Sequence, residues 1–192
     1  MRRYLAPLAA LAALTAVACT PADEAENAEG SLASASAISA EPTLDDATIV
    51  AIFDAANTAD IETGKLAAER GHSQEVRDFG EMLVHDHTLV RQQGRDLAAQ
   101  LGVTPTAPAD DAGARAHAEA MAMLQSKQGA EFDEAFLDHE VKFHREVIDA
   151  VQSTLLPAIE NAELETLVVK VAPAFNAHML AAENMGKQIA QK

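Results

Sequence analysis

Val76–Leu101 reads VRDFGEMLVHDHTLVRQQGRDLAAQL. Positions 76, 80, 83, 87, 90, 94, 97 and 101 follow an alternating four-three spacing and carry Val, Gly, Leu, His, Val, Gly, Leu and Leu. On a helix these residues form one stripe, so the segment predicts an amphipathic helix that buries His87 in an apolar seam. His85 and Asp86 fall to either side of that seam, so the His-Asp-His triplet does not offer three equivalent ligands.

Composition agrees with a helical protein. Almost half of the 192 residues are apolar, with no Trp and a single Tyr. Ala dominates, which favours closely packed helices over strands. The chain is long enough for one domain with a real core. With 30 acidic against 14 basic residues, the net charge is −16. Such a field repels nucleic acid, few aromatics are present to stack bases, and nucleic-acid binding is excluded on both counts.

The N-terminus reads as a targeting segment. Arg2 and Arg3 precede an apolar run, Leu5–Val17, and the small residues Ala16-Val17-Ala18 stand before the sole cysteine, Cys19. This resembles a bacterial lipoprotein signal over residues 1–18, with Cys19 as the lipidated first residue of the mature chain; simple secretory cleavage is the alternative. Either route carries the protein out of the cytoplasm, and the anchor predicts a periplasmic position on the outer membrane. Residues 19–42, rich in Ala, Ser and acid, predict a flexible tether. It would hold a domain roughly 25 Å from the membrane.

A helical domain is expected over residues 43–192. Thr43 is the expected N-cap of a first helix over 44–69, with Ile49, Ile52, Ala56, Ala59, Thr63 and Leu66 as its apolar stripe and Asp60 its most inward-facing acid. Gly71-His72-Ser73 makes the turn into the second helix. Asp60 and His87 stand at nearly equal separations from that turn, which sets them opposite each other in an antiparallel pair. A Pro-rich connection after Gly102 leads to a short helix that runs from Asp110 or Asp111 to about Lys127. A third long helix spans 130–156, ends at Pro157, and has Glu140 and His144 at the centre of its apolar face, four residues apart. The fourth shows another four-three seam, positions 164 to 189, with His178 in its middle and Pro173 expected to kink or divide it.

His87, His144 and His178 thus each take an apolar position on a separate helix, with Asp60 on the fourth and Glu140 beside His144. Imidazole and carboxylate donors that converge in a bundle can form a transition-metal shell of Fe, Zn or Cu. The same groups can instead satisfy one another as a structural polar network. His139 borders the core. His72, His85 and His117 are expected in solvent, the Met residues are expected to fill core, and Glu69-x-x-His72 straddles a helix end and faces outward. G-x-S-x-G, P-loop, H-E-x-x-H and G-x-G-x-x-G motifs are absent, so hydrolytic and nucleotide chemistry lose their usual markers.

Several segments together resemble the DUF4142 family: Ala59-Asp60-Ile61-Glu62-Thr63-Gly64-Lys65-Leu66-Ala67, Val76-Arg77-Asp78-Phe79, Asp86-His87-Thr88, Phe132-Asp133-Glu134-Ala135-Phe136 with His144, and Pro173 with His178. The resemblance spans about residues 43–192 and implies a secreted or lipid-anchored bacterial protein with a ferritin-like four-helix bundle. The chain departs from the family in having Asp60 where Glu is usual, Phe136 where Tyr is usual and Glu140 where Gln is frequent. It also lacks the two E-x-x-H pairs of ferritin-like oxidases, so their di-iron oxygen chemistry does not carry over. The expectation is therefore an all-α, ferritin-like four-helix bundle with an extra short helix, in an envelope lipoprotein that binds a transition metal for storage, buffering or a stress role. A non-enzymatic protein with a structural histidine network is the alternative, and a metal-dependent oxidoreductase ranks third.

Overall fold

The computed structural model describes residues 44–191; the targeting segment, Cys19, the tether and Thr43 lie outside the described residues. Helix α1 (Asp46–Arg70) is capped by Asp45, whose side chain accepts from the Thr48 N–H at 2.8 Å. Asp45 displaces Thr43 from the expected capping position because its carboxylate also complements the positive end of the helix. Helix α2 (Gln74–Leu101) starts at the Ser73 cap and ends at Gly102, in the left-handed region at φ 67°. The short α3 (Ala112–Gln125) begins at Asp111. Helix α4 (Ala130–Ala150) continues into a π-helical turn, Val151–Leu155, and a final turn α5 (Leu156–Ala158). Pro157 accounts for the widened turn. Its ring and missing N–H exclude an ordinary bond to the carbonyl four residues earlier, at Ser153.

Helix α6 (Ala162–Ile189) passes through Pro173 without dividing. Pro173 is on the exposed face, and so is Val169, whose carbonyl loses its helical partner and can turn to water. Of the two expected outcomes, the division into two helices therefore does not occur. No strand occurs among the described residues.

Helices α1, α2, α4 and α6 make the four-helix bundle, with α1 against α2 and α4 against α6 as the closest pairs and α3 packed on α1 and α4. The α1 face keeps Ile49, Ala59 and Thr63 of the expected stripe buried and is rotated at the remaining positions. Val50, Asn57, Asp60, Gly64 and Ala67 are buried, whereas Ile52, Ala56 and Leu66 are only partly so. Gly64 and Gly80 explain the rotation: a Cβ on Gly80 would stand 2.5 Å from the Gly64 carbonyl oxygen, so these two backbones touch where no side chain fits.

The interior is layered. Near the α1–α2 turn, Val76, Phe79, Leu83, Phe132, Phe136 and Ala182 form one apolar cluster. At the far end Ile49, Val50, Ala98, Leu155, Leu164 and Val168 form another, with Leu167, Val171 and Phe175 reaching inward from it. Between these plugs lies a polar layer: Asn57, Asp60 and Thr63 from α1, His87 from α2, Glu140 and His144 from α4, and His178 from α6, none more than 5% exposed.

Candidate metal centre

The four-three seams of α2 and α6 bring His87 and His178 to the same level of the bundle, and the centre of the α4 face brings His144 there. The ring centroids stand 5.7 Å (His87–His144), 5.1 Å (His87–His178) and 5.5 Å (His144–His178) apart. Each ring offers a nitrogen to a group whose members lie within 4.8 Å of one another. Asp60, Glu140 and His144 form a second group by the same measure. All five residues singled out from the sequence therefore occur in one interior layer.

The hydrogen bonds fix the tautomers. Asn57 donates through Nδ2 to the Phe53 carbonyl at 2.8 Å, which turns its Oδ1 toward His87 Nδ1 at 3.0 Å. Asp60 Oδ2 lies 3.4 Å from the same nitrogen without a hydrogen bond to it. His87 must then carry its proton on Nδ1 and leave Nε2 bare. His178 Nε2 stands 3.0 Å from Asp86 Oδ2 and donates to it, which in the neutral ring leaves Nδ1 bare. His144 Nδ1 donates to the Glu140 carbonyl at 3.0 Å, and its Nε2 has no hydrogen-bond partner among the described residues. The two bare nitrogens of His87 and His178 face each other at 3.2 Å. Two acceptors cannot bond each other.

Burial keeps His87 and His144 neutral. Burial, reinforced by the neighbouring imidazoles, holds His87 down at about 2. Burial does the same to His144, at about 4, with a contribution from His178. Burial also pushes the Glu140 carboxyl up to about 7, opposed by the hydrogen bond it accepts from Thr63 Oγ1 at 2.9 Å. Asp60 is raised well above the usual aspartate range by burial and then by the Glu140 charge beside it. The ionisable neighbours facing both carboxyls are imidazoles rather than Lys or Arg. Both Asp60 oxygens, Glu140 Oε2 and His144 Nε2 are buried without a hydrogen-bond partner among the described residues. Buried polar atoms in folded proteins rarely stay unpaired, and a cluster of donor atoms in that condition fits a cation.

Sequence reading did not single out Asn57, Thr63 or Asp86 as members of the layer. Asn57 and Asp86 each lie one residue from a seam position, and the i, i+3 relation of Asn57 to Asp60 is the signal that could have found it. Among the other histidines, His72 and His85 are exposed, while His117 pairs with Glu62 at 2.7 Å instead of standing free in solvent. His139 is half-buried beside the Phe143 ring and belongs to neither donor group. Met185 packs on the lower core and Met123 is exposed.

The fold is similar to that of CopM, solved in a Cu(II)-bound form, with a TM-score of 0.58 and 14% identity over 75% of this chain and 98% of that one. At that identity the likeness establishes the fold. No curated protein sequence matches the chain. The family model described as a domain of unknown function, DUF4142, matches residues 31–185, and the chain belongs to that family.

Proposed function

We propose that this protein binds one divalent transition ion in the polar layer, with His87, His144 and His178 as nitrogen ligands and Asp60 and Glu140 as the carboxylates that complete or orient the set. The observation that carries the reading is the pair of bare nitrogens, His87 Nε2 and His178 Nδ1, 3.2 Å apart. Two imidazoles bound to one ion at about 2.0–2.1 Å with a tetrahedral angle place their nitrogens roughly 3.3 Å apart. The outer nitrogen of each ring is already held by Asn57, Asp86 or the Glu140 carbonyl, the arrangement by which second-layer groups orient metal ligands. A structural network would spend its donors on its acceptors, whereas here His144 Nε2 stays unsatisfied. Charge fits as well, since the Asp60 and Glu140 carboxylates balance a dication.

Imidazole suits Cu, Zn and Fe, and the likeness to CopM favours copper among them. Storage or buffering is the role that asks least of such a site, because it needs only a closed shell and a route in. Cys19 would anchor the protein to the outer membrane from the periplasmic side. No helix among the described residues is long and apolar enough to cross a membrane.

The test is elemental analysis and calorimetric titration of the untagged chain with Cu(II) and Zn(II), beside His87→Ala and His144→Ala. The expected result is one ion per chain, lost in both variants. Trace metal that the substitutions leave unchanged would overturn the reading.

A further inference from the structure

An apolar cavity of about 210 Å³ lies directly above the polar layer, between α1, the end of α4 and α6. Its walls are almost wholly aliphatic or aromatic, Ile49, Phe53, Ile148 and Val168 among them. Two residues at its inner end, Asn57 and Phe175, also touch the candidate metal site. Asn57 accepts from His87, and the Phe175 ring stands 5.0 Å from that of His87 and 5.7 Å from that of His144.

The cavity is poorly suited to water, which needs two to four polar partners. The buried amide at its inner end is spent: Asn57 Nδ2 bonds the Phe53 carbonyl and Oδ1 bonds His87. An apolar cavity of about 150 Å³ is enough to take up benzene. The cavity reaches the surface beside Val169, which is 54% exposed, and beside the π-helical turn Val151–Leu155, a feature that recurs at functional sites.

We infer that this cavity is a binding site for a small uncharged apolar molecule, one aromatic ring or a short branched hydrocarbon in size, whose occupancy is transmitted to the histidines through Phe175 and Asn57. Binding itself needs no metal. Transmission rests on the metal-binding reading, since the imidazoles it moves are the proposed ligands, and linkage then requires that metal and ligand alter each other's affinity equally.

Toluene is the probe. Titrated into the full metal-free chain and followed by methyl NMR, it is expected to saturate below its solubility limit, with shifts concentrated at Ile49, Ile148 and Val168. Ala172→Phe, which fills the cavity from α6, and Ala56→Leu, which fills it from α1, are each expected to weaken binding at least tenfold while remaining helical by circular dichroism. Saturable binding that both folded variants retain, or no saturable binding to the wild-type chain, overturns the site. The second arm records the visible spectrum of the Co(II)-loaded chain with and without saturating toluene. A shifted ligand-field band supports transmission, and an unchanged band in a chain shown to bind toluene overturns it. Toluene binding in a chain that takes up no metal leaves the cavity site standing and removes the metal reading.

Discussion

Asp86 shows how much a single side chain beside the seam decides. Its carboxylate accepts a hydrogen bond from His178 Nε2–H at 3.0 Å and so directs Nδ1 toward the site. Asp86→Ala releases both the tautomer and the ring orientation, and we expect metal affinity to fall about 10–100-fold by calorimetry with the helical content unchanged. The carboxyls control the pH dependence. His87 and His144 are held at about 2 and about 4, so neither ring competes for protons near neutrality. Glu140, pushed up to about 7, and Asp60, raised as well, still retain protons in mildly acidic solution that a bound ion must displace. Affinity should therefore rise with pH through about 7 as Glu140 gives up its proton, by about tenfold per unit below that pH for the proton displaced. Glu140→Gln should flatten that rise, and an unaltered slope in the variant would assign the protons elsewhere. At this scale the sequence was legible where the helical period is strict. His87, His144 and His178 stand out because each interrupts an apolar line, whereas Asn57 and Asp86 sit one position aside, where a polar residue ordinarily faces solvent.

Helix contacts put the rings at one level, and the close approach of α1 and α2 is the most demanding of them. Gly80→Ala gains about 1 kcal/mol of helix propensity. Against that, its methyl group would meet the Gly64 oxygen at 2.5 Å and the Ala68 nitrogen at 2.7 Å, backbone atoms that cannot step aside. Overpacking of this kind costs about 1–3 kcal/mol, and so near a backbone the upper end applies; denaturant unfolding should show a net loss. Gly186→Ala in α6 meets nothing within 4 Å and should stabilise by about 0.5–1 kcal/mol. The four long helices could be read from periodicity, caps and Gly/Pro punctuation. The rotation of α1 could not, because it depends on a backbone contact between two glycines, and a hydrophobic pattern assigns glycine to no face. The continuity of α6 through Pro173 was equally hidden. It depends on whether the freed carbonyl meets water, which only the packed bundle decides.

Across the whole molecule, two apolar plugs enclose a layer of seven polar residues. Burying that layer without a counter-ion is unfavourable, since Asp60 and Glu140 must then hold protons or leave charge unpaired. An ion that binds only the folded chain should stabilise it by about 2.7 kcal/mol at a free concentration one hundred times Kd. The expected outcome is a higher midpoint of thermal unfolding in the loaded chain, reversed by a chelator and absent in His144→Ala. The layered plan was implicit in the sequence, because each long helix carries its polar interruption near its own middle. The cavity above the layer was not, because it arises from how aliphatic side chains of three helices fail to meet. The most direct measurement is X-ray absorption at the metal edge of the loaded chain. The expected result is about three nitrogen ligands near 2.0–2.1 Å, with the outer-shell scattering of imidazole rings and one further oxygen. A first shell of oxygen alone, without imidazole scattering, would contradict it.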